Sequence, residues 1–479
     1  MIGSVHRTSS LFYVAFGRQA SLIKDDLLEP LDALLDDAAL LGEVTAALAA
    51  RAPGSLFKGR TGIAPDRLLR AAVLKHLKGW SLRELERELR SNLVYRRFTR
   101  FDQDPIPTYA TFSRGFASLG EERTKAIHDR IIVKAREEVV VKGRRLRTDT
   151  TVVESNVHYP TDSTLLVDGM RVVTRALGRL SKECEEGALK VVNHARSAQH
   201  RLLEIARAAK SFTDAAKERM KGSYGKLLGL ARGVVRKAEA VSRGLADETL
   251  PIVGSPIRVM AQQAQLDHFV PLVKRVIAQT EARVFGGDTH FANKVLSIFE
   301  EHTQAIRKGK AHKPTEFGRL VRIDEVENGV VSNYEVQDGN PADAQAWMPA
   351  LLQHKEKFGQ MPHTATADRG YFSAKNEAEA REMGVKRVAI PARGHLSKAR
   401  AAVQKQRWFK RALRWRAGVE SRIATLKHRF GMVRAMYKGD VGFKRHVGWS
   451  VIANNLVSIA RVQTQRKAAE HAAKTKRAA

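Results

Sequence analysis

The first β-patterned run in this chain is Leu146-Arg-Thr-Asp-Thr-Thr-Val-Val153, and the next comes only at Gly318. A sheet built from both must be interrupted by everything between them. The first run is β-branched and alternating, which suits a strand. Asp149 sits in its middle, a poor place for aspartate by propensity. Such a carboxylate either faces a site or points outward from an edge strand. The later runs, Gly318–Asp324 and Val330–Val336, flank Asn328-Gly329, the strongest short-range hairpin signal. Asn340-Pro341 then starts a helix ending near Gly359. His363–Asp368 is a short strand ending in Asp368-Arg-Gly-Tyr. Ser373 caps a helix that closes at Gly384, and Val385–Ile390 is a strand stopped by Pro391.

The stretch Trp408–Phe430 follows a basic segment, Arg393–Arg411. At about 100° per residue, Val419, Ile423, Leu426 and Phe430 form one narrow apolar stripe. Arg416, Glu420 and Lys427 share the neighbouring stripe. An acid beside the packing face, flanked by two cations, suits a cleft that holds phosphate. The plain alternative is an amphipathic helix with one i,i+4 ion pair. A further helix, Val447–Ile459, carries Trp449, Ile452 and Leu456 as core. The Lys/Arg/Ala-rich tail from Gln463 is expected to fray.

Ahead of the first strand the chain is helical. Leu27–Leu48 has apolar residues at helical spacing, and Arg51–Gly62 is a basic, Gly/Pro-punctuated linker. Pro65 opens a helix that Gly79 ends. Ser81 with Glu84 forms a capping box for a second helix to about Leu89. A third starts at Thr108, and residues 121–140 read as a connecting helix. Two helices around a tight glycine turn, with Arg83, Arg87 and Arg90 among nearby arginines, suit a helix-turn-helix on DNA, or a plain helical hairpin. Residues 163–283 are long-helix material with breaks near Gly187, Gly222–Gly225 and Pro251–Pro256 and no sustained heptad.

Charge narrows the partners. The chain has 83 basic against 51 acidic residues, net +32. Nucleic acid is the first polyanion to suspect, and an anionic membrane surface the second. No apolar run approaches the ~18 residues that span a bilayer. Leu11–Phe16 is too short for a signal-peptide core. Cys184 is the single cysteine, so no intramolecular disulfide or Cys-rich zinc site forms. A reducing cytoplasm is the expected setting. Asp149, Asp368 and Glu420 can then converge at one end of a mixed sheet. Three carboxylates suit Mg²⁺, with Mn²⁺ as a substitute, and two such ions support phosphodiester displacement.

Three blocks carry a resemblance: Asp149-Thr-Thr-Val-Val-Glu-Ser-Asn-Val-His-Tyr-Pro-Thr-Asp162, Ala367-Asp368-Arg-Gly-Tyr371, and Arg416-x3-Glu420-x6-Lys427. Over roughly residues 60–460 the chain resembles DDE transposases of bacterial insertion sequences. The last block looks like the Y-x2-R-x3-E-x6-K signature group, and the first like the ISNCY-type branch. The resemblance implies an α/β, ribonuclease H-like mixed sheet with catalytic acids at one end, an N-terminal helical DNA-binding domain and a helical insertion. Asp149, Asp368 and Glu420 would be the catalytic, metal-binding triad, and Arg416 and Lys427 would contact phosphates. Leu413 replaces the signature's tyrosine, and the insertion follows the first strand rather than preceding the last acid's helix.

The expected layout is a helix-turn-helix-like DNA-binding region at 1–140, with Arg83, Arg87 and Arg90 on DNA. The catalytic domain takes 141–162 and 285–462, the helical insertion 163–284, and a basic tail 463–479. The expected activity is cutting and joining of double-stranded DNA at element ends, by a dimer or larger synaptic complex near the bacterial nucleoid. The rival readings are a DNA-binding regulator without chemistry and a metal-dependent nuclease or recombinase without joining. Glu154, Asp162 and Glu316 are further acids near the expected site. His158, Tyr159, Trp408 and Trp415 are candidate DNA contacts or packed residues.

Overall fold

The computed structural model describes residues 1–3, 25–51, 54, 58, 59, 61–102, 104–307 and 314–478. Leu11–Phe16 and part of the linker Arg51–Gly62 lie outside them. The chain divides into two compact units, Met1–Asn156 with Ile306–Ala479, and Val157–Ala305.

The larger unit begins with helices α1 (Leu28–Leu35), α2 (Ala38–Arg51), α3 (Pro65–Lys78), α4 (Leu82–Ser91), α5 (Leu93–Phe98), α6 (Tyr109–Ser118) and α7 (Glu121–Glu137). Pro65 occupies the first turn of α3, and Gly79 ends it in the left-handed conformation at φ 70°. The Ser81–Glu84 capping box forms as the sequence predicts. α3 is buried nearly all round, including Arg70. Arg70 survives there because its guanidinium reaches Asp32 (2.7 Å) and Asp36 (2.9 Å), tying α1 to α3.

The smaller unit holds α8 (Asp162–Leu180), α9 (Ala195–Ala208), α10 (Asp214–Ala246) and α11 (Pro256–Val284). Its core includes Leu166, Leu177, Leu227 and Val273. A Cβ on Gly169 would lie 2.5 Å from Val273, so glycine lets α8 and α11 pack closely. Asp162 is buried and accepts from Gln279 (3.0 Å) beside Arg283.

The larger unit resumes with the sheet. Its strands are β1 (Arg145–Ser155), β2 (Gln304–Ile306, at the boundary of the units), β3 (Glu316–Glu325), β4 (Val331–Val336), β5 (Thr364–Thr366), β6 (Arg387–Ala389) and β7 (Arg434–Ala435). β3 runs antiparallel to β1, and β4 antiparallel to β3. On the other side β5 is parallel to β1, and β6 parallel to β5. The sheet is therefore mixed, with β1 between its antiparallel and parallel halves. The β3–β4 turn has Asn328 and Gly329 consecutively left-handed, at φ 59° and 76°, as that dipeptide permits. Its helices are α12 (Trp347–Phe358), α13 (Ala374–Glu382), α14 (Lys398–Lys405), α15 (Arg407–His428) and α16 (Gly439–Ala478).

Two expectations change. The helix expected at Asn340-Pro341 starts at Trp347, because a 3₁₀ turn, Asp343–Ala346, comes first. The tail expected to fray instead prolongs α16 to Ala478. Its Ala, Lys, Arg and Gln are good helix formers, and the buried segment before it supplies the nucleus. Arg466 also caps the end of α7, donating to the carbonyls of Glu138 and Val139 at 2.8 Å.

α16 carries most of the core between the N-terminal helices and the sheet, with Phe443, Val447, Trp449, Ile452 and Leu456 fully buried. Asn455 accepts from the backbone N–H of Val331 and donates to its carbonyl, both at 2.8 Å, as a neighbouring strand would. His446 is buried with them. Its Nε2 donates to the Gly431 carbonyl at 3.0 Å, and its Nδ1 is buried with no partner among the described residues. Burial, aided by the charges of Lys75 and Arg445, lowers the imidazole pKa from 6.5 to about 4, against the pull of the Gly431 hydrogen bond. The unfolded chain therefore takes this proton at a higher pH than the folded one. Stability present above pH 6.5 should fall as pH drops toward 4, by roughly 3 kcal/mol at most from this residue. Urea midpoints measured from pH 7 to pH 4.5 should fall, and less steeply in His446→Gln.

Candidate active site

β1 and β5 are parallel, with Arg147 beside Thr366. The pairing ends there; carried two residues further along each chain, the same register would bring Asp149 and Asp368 level. Both are partly exposed. Asp368 keeps an extended backbone (φ −75°, ψ 176°), and its Oδ1 accepts the Gly370 N–H at 2.6 Å. That bond starts the 3₁₀ turn Arg369–Tyr371, which follows shortly after the end of β5. Asp149 Oδ1 accepts the Thr150 N–H at 2.7 Å.

α15 brings the third acid. Val419, Leu426 and Phe430 are buried and Ile423 half-buried, which is the stripe read from the sequence. Arg416 stands 3.9 Å from Asp149 Oδ2 and 3.5 Å from Glu420 Oε1. One guanidinium thus joins the strand acid to the helix acid. Glu420 itself is open to solvent, its side chain 73% exposed. Lys427 is half-buried two turns further on.

The helix is held by a buried charge cluster. Glu325 of β3 grips Arg147 of β1 with two hydrogen bonds, at 2.9 and 2.5 Å. Arg147 also donates to the Trp415 carbonyl and lies 4.8 Å over the Trp415 ring. A Cβ on Gly418 would stand 2.5 Å from the Arg147 guanidinium, so glycine at 418 leaves that guanidinium room in its observed place. Arg422, on the same helix, reaches Glu325 (3.4 Å) and Asn454 of α16 (2.8 Å).

Asp343 is an acid the sequence reading did not single out. Its Oδ1 accepts from Thr150 Oγ1 at 2.8 Å. A Cβ on Gly370 would lie 2.8 Å from both Asp343 Oδ2 and Asp368 Oδ1, so the two carboxylates flank that glycine. The available signal was its place just after Asn340-Pro341, where an acid need not be a mere cap. Nearby, the buried Tyr371 phenol is pushed well above its usual range, by burial first and then by the charges of Asp343, Asp149 and Asp324. A concentrated negative field beside hard oxygen donors fits a hard divalent cation. Among the described residues, no group of three or more His, Cys, Asp or Glu side chains already stands in metal-holding geometry. Arg416 supplies the countercharge in this arrangement.

The other candidates fall elsewhere. Glu154 pairs with Arg434 at 2.9 Å. Glu316 is buried in β3, and Asp162, His158 and Tyr159 belong to the smaller unit. Leu413, at the signature's tyrosine position, packs beside Ala389, Phe409 and Ala412. Arg83, Arg87 and Arg90 are exposed on α4. Arg83 lies 4.9 Å over the Tyr109 ring, Arg87 pairs with Glu88 (2.9 Å) and Arg90 with Glu86 (2.6 Å).

The two kinds of ion pair should separate experimentally. Glu325→Gln leaves buried Arg147 without its counter-charge and should cost about 3–5 kcal/mol in urea unfolding. Arg416→Ala breaks a more exposed pair and should cost under about 1 kcal/mol.

Two family models match parts of the chain. Residues 17–117 match the family model "Transposase domain (DUF772)", and residues 299–456 match "Transposase DDE domain". No curated protein and no solved structure matches the chain. The second match runs from just before β2 into α16 and includes Asp368 and Glu420. One match on the N-terminal helices and one on the sheet with its third-acid helix together indicate a DDE-type transposase of an insertion sequence.

Proposed function

We propose that the chain cuts DNA at the ends of its element and joins the freed 3′ ends to target DNA, with Asp149, Asp368 and Glu420 as the catalytic acids on a ribonuclease H-like sheet. The observation that supports this reading is the β1–β5 pairing of Arg147 with Thr366, two residues ahead of Asp149 and Asp368, together with the Arg147 hydrogen bond to the Trp415 carbonyl on the helix of Glu420. The three acids would hold two Mg²⁺, or Mn²⁺. Bound there, the ions would activate the attacking oxygen and stabilise the leaving one.

The protein's own groups orient the reaction. Asp343 buttresses the turn that presents Asp368. Arg416 and Lys427 would neutralise phosphate charge, with Arg416 turning from its carboxylate partners to DNA. Residues 1–140, with Arg83, Arg87 and Arg90, recognise the element ends. Residues 141–162 and 285–462 form the catalytic domain, 163–284 the insertion and 463–479 a basic tail. Holding two ends together calls for a dimer or larger synaptic complex. The first and last motif blocks favour the ISNCY-type branch and the Y-R-E-K signature group.

Purified protein and labelled DNA carrying the element's ends test this directly. Mg²⁺ should give cuts at the ends and then joined products, and EDTA should give neither. Alanine at Asp149, Asp368 or Glu420 should each lower cleavage on the order of a thousandfold or more, while DNA binding persists. Cleavage surviving Asp368→Ala would sink the assignment. Gly370→Ala should reduce cleavage at least tenfold, roughly the cost of a small misplacement in an active site, with little change in unfolding midpoint.

A further inference from the structure

A polar cavity lies at the opposite end of the same strands. It has a volume of about 770 Å³ and is lined by the first residues of β1, β5 and β6 and by the start of α15. Arg144, Arg145, Lys386, Arg387, Arg407 and Arg411 all line it, and no acid does. All six are exposed, and none is ion-paired with a described carboxylate. Their combined field is felt at His363 in the same wall, whose imidazole is lowered by desolvation and then by Arg387, Lys386, Arg144 and Arg145. Most arginines elsewhere in the site region have found carboxylates; these have not.

Two indoles complete the wall. Trp408 and Trp415 line the cavity and are each half-buried. Each has an arginine over its ring, Arg387 at 5.7 Å and Arg147 at 4.8 Å. Cations that track phosphates beside aromatic faces that accept bases are the combination that binds unpaired nucleic acid. The cavity is of the size that takes a small organic ligand. A few nucleotides of one strand fit such a space, whereas a duplex does not.

We infer that this cleft holds an unpaired DNA strand leading to or from the acids. The inference rests on the reading that the chain acts on DNA. α15 links the two places, since Arg407, Arg411 and Trp415 line the cleft and Arg416 and Glu420 follow directly. Arg145 in the cleft and Asp149 are four residues apart on β1, about 13 Å. A single strand bridges that distance in two or three nucleotides. The acids repel phosphate until they are neutralised, and the cleft attracts it without any metal.

The test uses the full chain in EDTA and fluorescence anisotropy with fluorescein-labelled oligothymidylate, against a blunt duplex of equal length. Arg407→Gln/Arg411→Gln should bind the single strand about tenfold or more weakly. The slope of log affinity against log salt should shrink by about 1.4 for two lost phosphate contacts. Duplex affinity should stay within about twofold. Trp408→Phe, which keeps a packed ring, should weaken single-strand binding alone. Equal weakening of single strand and duplex, or no weakening in any cleft variant, would overturn the inference. If the unaltered chain binds and cuts duplex ends but ignores oligothymidylate, the cleft inference fails and the proposed function stands. If it binds no DNA at all, both fail.

Discussion

Glu325 holds two arginines from different elements, and the site's geometry depends on that grip. Its carboxylate is 1% exposed. Such a group stays charged in a core only when its partners are fixed. Arg147 supplies two hydrogen bonds from β1, and Arg422 adds a third contact from α15. The first pairing crosses the β1–β3 ladder, and the second crosses from sheet to helix. Arg422 then passes the constraint to Asn454 on α16. A hydrophobic contact could have supplied as much stability. A forked, directional contact also sets the rotation of α15 about its axis, and that rotation decides whether Glu420 faces Asp149.

The same helix separates two kinds of charge. At one end of the parallel strands, the charges of carboxylates from β1, β3 and the turn before α12 act together on Tyr371. At the other end, cations crowd around His363. Each cluster is costly alone, since like charges repel. A partner of opposite charge would offset that cost at each end. Arg416 sits between the two, touching Asp149 and Glu420.

Much of this was legible in the chain. The Asp149 strand, the Asn328-Gly329 turn, the Ser81–Glu84 cap and the apolar stripe of α15 follow from local rules, and the structure contains all four. Local rules work there because backbone conformation and one packing face decide the outcome. Asp343 was not legible, because its importance comes from Thr150 and Gly370, which are remote in sequence. Glu325 was hidden for the same reason. The continuation of α16 past Gln463 was misread because polarity suggested fraying, whereas a long buried helix had already met the nucleation cost. The basic cleft draws residues from three strand starts and one helix, so its lack of any acid appears only in three dimensions.

A titration of the full chain with Mn²⁺, bound to DNA carrying the element's ends and followed by electron paramagnetic resonance, tests most directly whether the three acids form one cation site. Saturable binding that is lost or sharply weakened in each of Asp149→Asn, Asp368→Asn and Glu420→Gln is the predicted result. Mn²⁺ binding that survives all three substitutions unchanged would contradict it.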